Sequence, residues 1–174
     1  MLNIRNIEFE NKEDFYKIVD IVVQVENSPI VLLSTSEAAR EFFIKELTAA
    51  LLEKYNIQLH NKTPDEIINK LIESVMERDS NLSAWKEFLN VGRALCIDGI
   101  EFFGGKSTCQ KELYFFLRDF TKPLLLGLRE KLPQDDNQFI PQFREFVERG
   151  KVIKLALKND IVPKETSGTT LITR

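Results

Sequence analysis

The stretch Leu95–Leu113, LCIDGIEFFGGKSTCQKEL, decides how this chain can fold. A continuous apolar run at 94–97 is too short for a helix and is typical of a strand buried inside a parallel sheet. Asp98 follows the run directly, where open α/β sheets place their ligands. A Gly-Gly turn comes next, and the spacing of Ser107 and Gln110 predicts a capping box. The stretch therefore predicts a strand, a turn and a helix, with an acid at the end of the strand.

Composition limits the class of protein. The chain has 174 residues, 43% apolar and 29% charged, which suits one globular domain with a small appendage. Its net charge of -3 predicts no general attraction to nucleic acid or to an anionic membrane. No apolar run approaches the roughly 18–20 residues of a membrane span, and the early acids exclude a signal peptide. Two cysteines without metal-ligand spacing favour a reducing cytoplasm.

Strand and helix patterns alternate along the chain, which predicts an α/β fold with three αβα layers and a mostly parallel five-stranded sheet. The predicted strands lie at 30–33, 57–60, 94–97, 123–126 and 152–157. The predicted helices lie at 12–25, 37–54, 63–78, 83–89, 110–120 and 139–149. Residues 1–158 then form the domain and residues 159–174 a polar C-terminal tail, in which 166–170 is expected to be flexible.

The opening stretch resembles the Walker B region of the DnaA family of bacterial replication initiators and of its shorter relative Hda. Two other segments, 28–33 and 144–153, also resemble this family. The resemblance implies an AAA+ core, of the P-loop NTPase type, across roughly residues 7–158. The matching positions in the opening stretch are Ile97, Asp98, Ile100, Phe102, Gly105, Lys106, Gln110 and Glu112.

The phosphate loop of that family is not matched. A phosphate loop needs glycines whose backbone N–H groups wrap the phosphates, a lysine, and a hydroxyl for Mg²⁺. This chain has no glycine there, and we expect Ser34-x-x-Glu37 to form a capping box that closes the helix start. The site is therefore predicted to bind no nucleotide. The residues that form this degenerate Walker A segment are Ser34, Thr35, Ser36, Glu37, Arg40 and Glu41.

Other catalytic positions implied by the resemblance are also changed. Gly99 stands in place of the second Walker B acid, Arg129 in place of the sensor acid, and Phe146 in place of the arginine finger. Arg144 lies two residues before the finger position. The family's lid and DNA-binding domain are not matched. We therefore expect no enzyme activity, no cofactor and no metal, with Asp98 left as a relic or as a partner for the adjacent turn.

Three functions remain open. The first is a non-catalytic DnaA-like protein that modulates chromosome replication initiation by contacting DnaA or another replication factor. The second is a remnant that binds single-stranded nucleic acid weakly, with Lys62, Lys70 and Arg93 extending a basic patch. The third is an interaction domain in an unrelated, mobile-element pathway. The candidate contact residues for a partner or nucleic acid are Lys106, Lys111, Arg129 and Arg144.

Overall fold

The computed structural model describes residues 7–8, 12–24, 28–134, 137–156 and 172–173. The strands are β1 (Ile7–Glu8), β2 (Ile30–Leu33), β3 (Leu59–Lys62), β4 (Ala94–Asp98), β5 (Leu124–Leu128), β6 (Lys151–Ala156) and β7 (Ile172–Thr173). The helices are α1 (Lys12–Gln24), α2 (Glu37–Tyr55), α3 (Pro64–Met76), α4 (Ser83–Leu89), α5 (Ser107–Arg118) and α6 (Pro141–Glu148). A 3₁₀ turn, Ile100–Phe103, joins β4 to α5.

The sheet has the strand order β1-β7-β6-β2-β5-β4-β3. Its five central strands, from β6 to β3, are parallel, which confirms the predicted α/β fold with a five-stranded parallel sheet. The short β7 pairs antiparallel with both β6 and β1, so it extends the sheet at one edge. In the register of the central strands, Asp98 lies opposite Gly127.

Helices cover both faces of the sheet, as the three-layer prediction requires. Successive residues of a strand point to opposite faces, and β2 shows this directly. Ile30 and Leu32 belong to the apolar cluster that contains α1 and α2, whereas Val31 belongs to the cluster that contains α3, α4, α5 and α6. The larger cluster includes Trp85, the only tryptophan of the chain, whose side chain is fully buried.

Strand β3 begins two residues later than the predicted start at residue 57. Helix α2 ends at Tyr55, and its C-cap residue Asn56 adopts a left-handed conformation with φ 52°. The N–H groups of Asn56 and Ile57 bond back to the carbonyl oxygens of Leu52 and Leu51. In such a C-terminal cap the residues after the helix bond back to its last turn. Residues 56 and 57 therefore belong to the cap, and the strand starts only at Leu59.

The capping box predicted from Ser107 and Gln110 is wrong. The N-cap of α5 is Lys106, and no side chain bonds to this end of the helix. Gln110 is instead completely buried. Its carboxamide bonds to backbone groups of the 3₁₀ turn and of the 138–140 segment, so it does not reach back to the start of α5.

Part of the predicted tail takes a place in the sheet, since Ile172–Thr173 form β7. The sequence pattern places that dipeptide in a polar C-terminal tail rather than in a strand. Residues 157–171 lie outside the described residues, so the predicted boundary between 158 and 159 stays a prediction.

Candidate functional site

The position of the phosphate loop lies at the carboxyl edge of the sheet, between the end of β2 and the start of α2. The parallel strands β2, β5 and β4 are neighbours in that order. Residues 34–36 follow β2, and Asp98 ends β4. Because parallel strands end at the same edge, the sequence brings these groups together across β5.

A buried ion pair fills this position. The Arg40 Nε donates to Asp98 Oδ1 at 2.7 Å, and the Arg40 Nη1 donates to the Ser34 carbonyl oxygen. The Arg40 side chain is 4% exposed and that of Asp98 is 18% exposed. A charge-assisted pair this far from water is strong, and separating it leaves a charge without its partner. The only Walker B acid is therefore already held by the protein's own cation.

Gly127 makes room for this pair. A Cβ atom placed on Gly127 would lie 1.8 Å from Asp98 Oδ1, so no other residue fits at that point of β5 without moving the carboxylate. The two residues are register partners, and the Gly99 N–H bonds to the Gly127 carbonyl oxygen at 3.0 Å. The geometry of Asp98 is therefore set by its neighbouring strand as well as by Arg40.

Gly99 cannot be exchanged for the missing second acid without strain. Its φ is 91° and a Cβ atom there would lie 2.9 Å from Phe102 Cδ2. Positive φ is costly for residues with a Cβ. Glycine at position 99 therefore suits the left-handed conformation with which the chain passes from β4 into the 3₁₀ turn.

The turn before α2 caps its own helix, but through different atoms from those predicted. The N-cap is Ser36, whose Oγ accepts from the Ala39 N–H at 3.2 Å, so the predicted Ser34-x-x-Glu37 capping box is wrong. The Ser34 Oγ accepts from the Ser36 N–H at 3.1 Å. Thr35 is exposed. Two N–H groups of the kind that would wrap a phosphate are therefore bonded to serine hydroxyls.

The positions matched to the sensor and the arginine finger differ in their environment. Arg129 is exposed just beyond β5. Phe146 is buried in α6 and its ring meets that of Tyr114 edge-on, with centroids 6.2 Å apart. Arg144 is half-buried, and its Nη1 donates to the Gln134 carbonyl oxygen at 2.9 Å.

The lysines and arginines proposed as a basic patch are dispersed. Lys62 lies over the Phe88 ring at 4.0 Å, and Lys70 pairs with Glu73 at 2.8 Å. Arg93 precedes β4, at the opposite end of the strand from the turn that leads into α5.

Two candidate basic residues do share one region. The Lys106 Nζ donates to the Phe102 carbonyl oxygen at 2.9 Å, and Lys111 is exposed one turn into α5. The structure therefore keeps Lys106 and Lys111 near one another at the start of that helix. Lys62, Lys70 and Arg93 do not belong to this region.

Sequence reasoning missed the contacts of two residues. Arg40 was assigned only to the degenerate Walker A segment, yet its side chain pairs with Asp98. An arginine in the first turn of the helix, with one acid at the end of a buried strand, was the available signal. For Gln110 there was none, because its partners lie up to 30 positions away.

Within the described residues, no group of three or more His, Cys, Asp or Glu side chains could hold a metal ion. No helix in that part of the chain is long and apolar enough to cross a membrane. Both cysteines, Cys96 and Cys109, are free and buried.

This arrangement of strands and helices matches the fold of solved structures of the replication initiator DnaA. Domain III of Thermotoga maritima DnaA superposes with a TM-score of 0.66 at 17% identity, covering 87% of this chain and 64% of that one. AMPPCP-bound DnaA from Aquifex aeolicus gives a TM-score of 0.67 at 16% identity, covering 88% of this chain and 49% of that one. A DnaA bound to AMPPCP and single-stranded DNA gives 0.67 at 15% identity, over 86% and 48%.

These matches confirm the predicted resemblance at the level of the fold. The chain spans about two thirds of the Thermotoga domain III chain and about half of the longer DnaA chains. No family model matches the chain, and no curated protein matches it in sequence.

Proposed function

We propose that this chain is a non-catalytic DnaA-like domain that modulates chromosome replication initiation through protein contacts, with DnaA or another replication factor as partner. The observation that carries the proposal is the buried ion pair between Arg40 and Asp98. The compartment we propose is the cytoplasm, where free thiols stay reduced.

The ion pair opposes nucleotide binding in two ways. Mg²⁺ bound with a nucleotide takes carboxylate oxygens as ligands, and the Asp98 carboxylate already accepts from Arg40. Opening the pair leaves Arg40 buried without its partner, which costs about 3 kcal/mol before any phosphate is bound. The 34–36 turn has no glycine to offer backbone N–H groups in return.

Phosphoryl transfer depends almost wholly on positioning and on charge stabilisation. The positions matched to the second acid, the sensor and the finger hold Gly99, Arg129 and Phe146. The fold is kept while each of these groups is changed. A domain of this kind acts by the surface it presents, which is why we assign it a role in protein association.

The test is direct association with the DnaA protein of the same organism. Biolayer interferometry is done with immobilised chain, first without nucleotide and then with ATP or ADP on the DnaA side. We expect saturable binding, and we expect open-complex formation at the origin to change in proportion to the chain added. Absence of binding to DnaA and to other initiation factors contradicts the proposal.

A second candidate function, weak binding of single-stranded nucleic acid, is favoured by one surface on α5. A groove of about 500 Å³ is lined by the cations Lys111 and Arg118 and by the rings of Tyr114 and Phe115. Phe115 is 40% exposed, and the Arg118 guanidinium lies 4.7 Å from its ring centroid. Cations beside accessible rings suit phosphates and stacked bases. No carboxylate belongs to the described lining.

Fluorescence anisotropy with a labelled oligo-dT separates the two candidates. If nucleic acid is the ligand, binding weakens steeply with salt and is reduced by Lys111→Glu but not by Lys86→Glu, an exposed lysine on α4. If the chain acts by protein contact alone, both variants and the parent leave the anisotropy unchanged.

A further inference from the structure

An open groove runs along the edge of the sheet, between α2 and β3, and ends at the start of α3. We name it the edge groove. Its volume is about 760 Å³. It is separate from the 34–36 turn, although Asp98 reaches one end of it. The side chains that matter for its chemistry are Glu37, Glu41, Leu52, Asp65 and Phe102.

The floor of the edge groove is a strand with one open side. β3 is the last strand of the sheet and pairs only with β4 among the described strands. The Gln58 carbonyl oxygen accepts from the Arg93 N–H, so residue 58 points its backbone groups towards β4. Backbone groups alternate in direction along a strand. Leu59 and Asn61 therefore present their N–H and C=O groups to the open side.

The wall of the groove is one stripe of α2, with side chains at helical spacing. Near its C-terminal end the stripe is apolar, and Leu52 is 54% exposed there. Near its N-terminal end the stripe carries Glu37 and Glu41, and Asp65 of α3 lies across from them. The groove thus has an apolar end beside Leu59 and an acidic end beside the carboxyl edge of the sheet.

The acids of the groove lack counter-charges. Glu37, Glu41 and Asp65 are exposed and make no ion pair within the described residues. Lys45 is the one cation among the described lining residues. Nucleic acid is therefore repelled from this surface, whereas a basic partner is attracted.

We propose that the edge groove binds an extended segment of a partner protein. The segment pairs with the open side of β3, places an apolar side chain beside Leu52, and places arginine or lysine beside Glu37, Glu41 and Asp65. Addition of a strand to a sheet edge draws its affinity from backbone hydrogen bonds and its specificity from alternate side chains. This inference rests on the proposed function, since it names the surface and the chemistry of a partner.

The length and the aromatic residue of the groove define the segment further. Strand β3 has four residues, so at about 3.3 Å per residue it is roughly 13 Å long and pairs with only a short segment. Phe102 is 65% exposed at the acidic end. An accessible ring next to carboxylates favours arginine over lysine, because the guanidinium stacks on a ring and binds a carboxylate.

The experiment uses a defined probe, the fluorescein-labelled peptide Val-Thr-Val-Thr-Arg-Thr-Arg, with Val-Thr-Val-Thr-Glu-Thr-Glu as its matched control. We expect the arginine peptide to raise the anisotropy saturably and the glutamate peptide to leave it unchanged. Hydrogen exchange adds a structural readout: the amides of Leu59 and Asn61 become slower to exchange when the arginine peptide binds.

Variants locate the binding. Glu41→Lys and Leu52→Asp each weaken binding of the arginine peptide by roughly tenfold, since each opposes one end of the segment. Glu46→Lys is the matched control, because Glu46 is exposed on the same helix and does not line the groove. Met76→Asp serves the same purpose for Leu52, because Met76 is 78% exposed on α3.

Equal binding of the two peptides, or equal loss with Glu46→Lys, overturns the inference. So does unchanged exchange at Asn61 when the arginine peptide is bound. Binding of DnaA that survives Glu41→Lys and Leu52→Asp rejects the edge groove and keeps the proposed function. Tight nucleotide binding by the parent chain rejects the proposed function and leaves the peptide result to stand or fall independently.

Discussion

At the scale of single residues, one ion pair fills the space between the end of β2 and the end of β4. Arg40 and Asp98 are 58 positions apart in the sequence and 2.7 Å apart in the structure. Gly127 leaves the space that the carboxylate occupies. The sequence alone predicts that no nucleotide binds at 34–36, because the segment has no glycine, and this stays a prediction. The sequence could not predict the ion pair, because a contact across three strands depends on tertiary packing.

Removal of the arginine from this pair tests its strength. We expect Arg40→Ala to lower the free energy of unfolding by about 3 kcal/mol, because Asp98, whose side chain is only 18% exposed, is left without its ion-pair partner. Urea denaturation followed by Trp85 fluorescence measures it. Arg118→Ala is the control: Arg118 and Asp119 are exposed and 3.5 Å apart, so about 0–1 kcal/mol is expected. Equal losses from the two variants contradict a special role for Arg40.

A methyl group on Gly127 tests the packing around the carboxylate. We expect Gly127→Ala to cost about 2 kcal/mol, because the added Cβ overlaps Asp98 Oδ1. Gly104→Ala is a milder control, since its nearest contact would be the Glu101 carbonyl oxygen at 3.2 Å. Thermal unfolding followed by circular dichroism compares the two variants. A harmless Gly127→Ala would mean that Asp98 has room to move.

Introducing an acid at position 99 is expected to destabilise the fold. Gly99→Asp places a side chain at φ 91° and against the Phe102 ring, which adds contact strain to the roughly 1–2 kcal/mol cost of a left-handed residue. Gly105→Asp has a similar φ of 74° with more space around it, so the difference between the variants isolates the contact with Phe102. Comparison of their melting temperatures measures it, and equal values contradict the contact.

The two thiols give a pH prediction. Burial raises the pKa of Cys109 to about 11, and burial, with a smaller effect of Asp98, also raises the pKa of Cys96. The native chain should therefore react very slowly with iodoacetamide at pH 8, and both thiols should react once the chain is denatured. Because the thiols ionise at lower pH in the unfolded chain than in the folded one, ionisation favours the unfolded state. The free energy of unfolding is therefore unaffected by the thiols below their unfolded pKa and falls as the pH rises above that value. Rapid native labelling contradicts this.

At the scale of elements, apolar runs were the most reliable signal. The runs at 30–33 and 94–97 became β2 and β4 because a strand covered on both faces needs apolar residues throughout. Helix starts were harder to predict. Serine spacing suggested two capping boxes, but Ser36 caps α2 and Gln110 is drawn into the core. Where a polar side chain can bond to several different groups, tertiary packing decides which bond forms.

Gln110 joins three separate elements, and its truncation tests this. Its Nε2 donates to the carbonyl oxygens of Phe103 and Gln138, and its Oε1 accepts from the Ile140 N–H at 2.7 Å. We expect Gln110→Ala to destabilise the chain by about 2–4 kcal/mol, because three backbone groups lose their bonds. Gln142→Ala is the exposed control on α6. A cost below about 0.5 kcal/mol in urea denaturation contradicts this role.

At the scale of the whole molecule, the likeness to DnaA lies in the fold. The sheet keeps its five parallel strands between two layers of helices, and its shape matches DnaA domain III. Packing depends on apolar volume spread over many residues, so it persists at 14–17% identity. Phosphoryl transfer depends instead on a few positioned groups, so the fold alone does not determine it. The edge groove and the α5 groove remain as surfaces for partners.

The most direct test of whether the Arg40–Asp98 ion pair prevents nucleotide binding is calorimetric titration of ATP and of ADP, each with Mg²⁺, into the purified chain. Thermal unfolding is recorded alongside. We predict no heat of binding and no change in melting temperature at millimolar nucleotide, because Arg40 and Asp98 remain paired with one another. Micromolar binding would contradict it: nucleotide at about 100 times its Kd stabilises a native state by roughly 2.7 kcal/mol, a readily measured shift. The site would then be a working nucleotide pocket, and the proposal of a domain without nucleotide would be wrong.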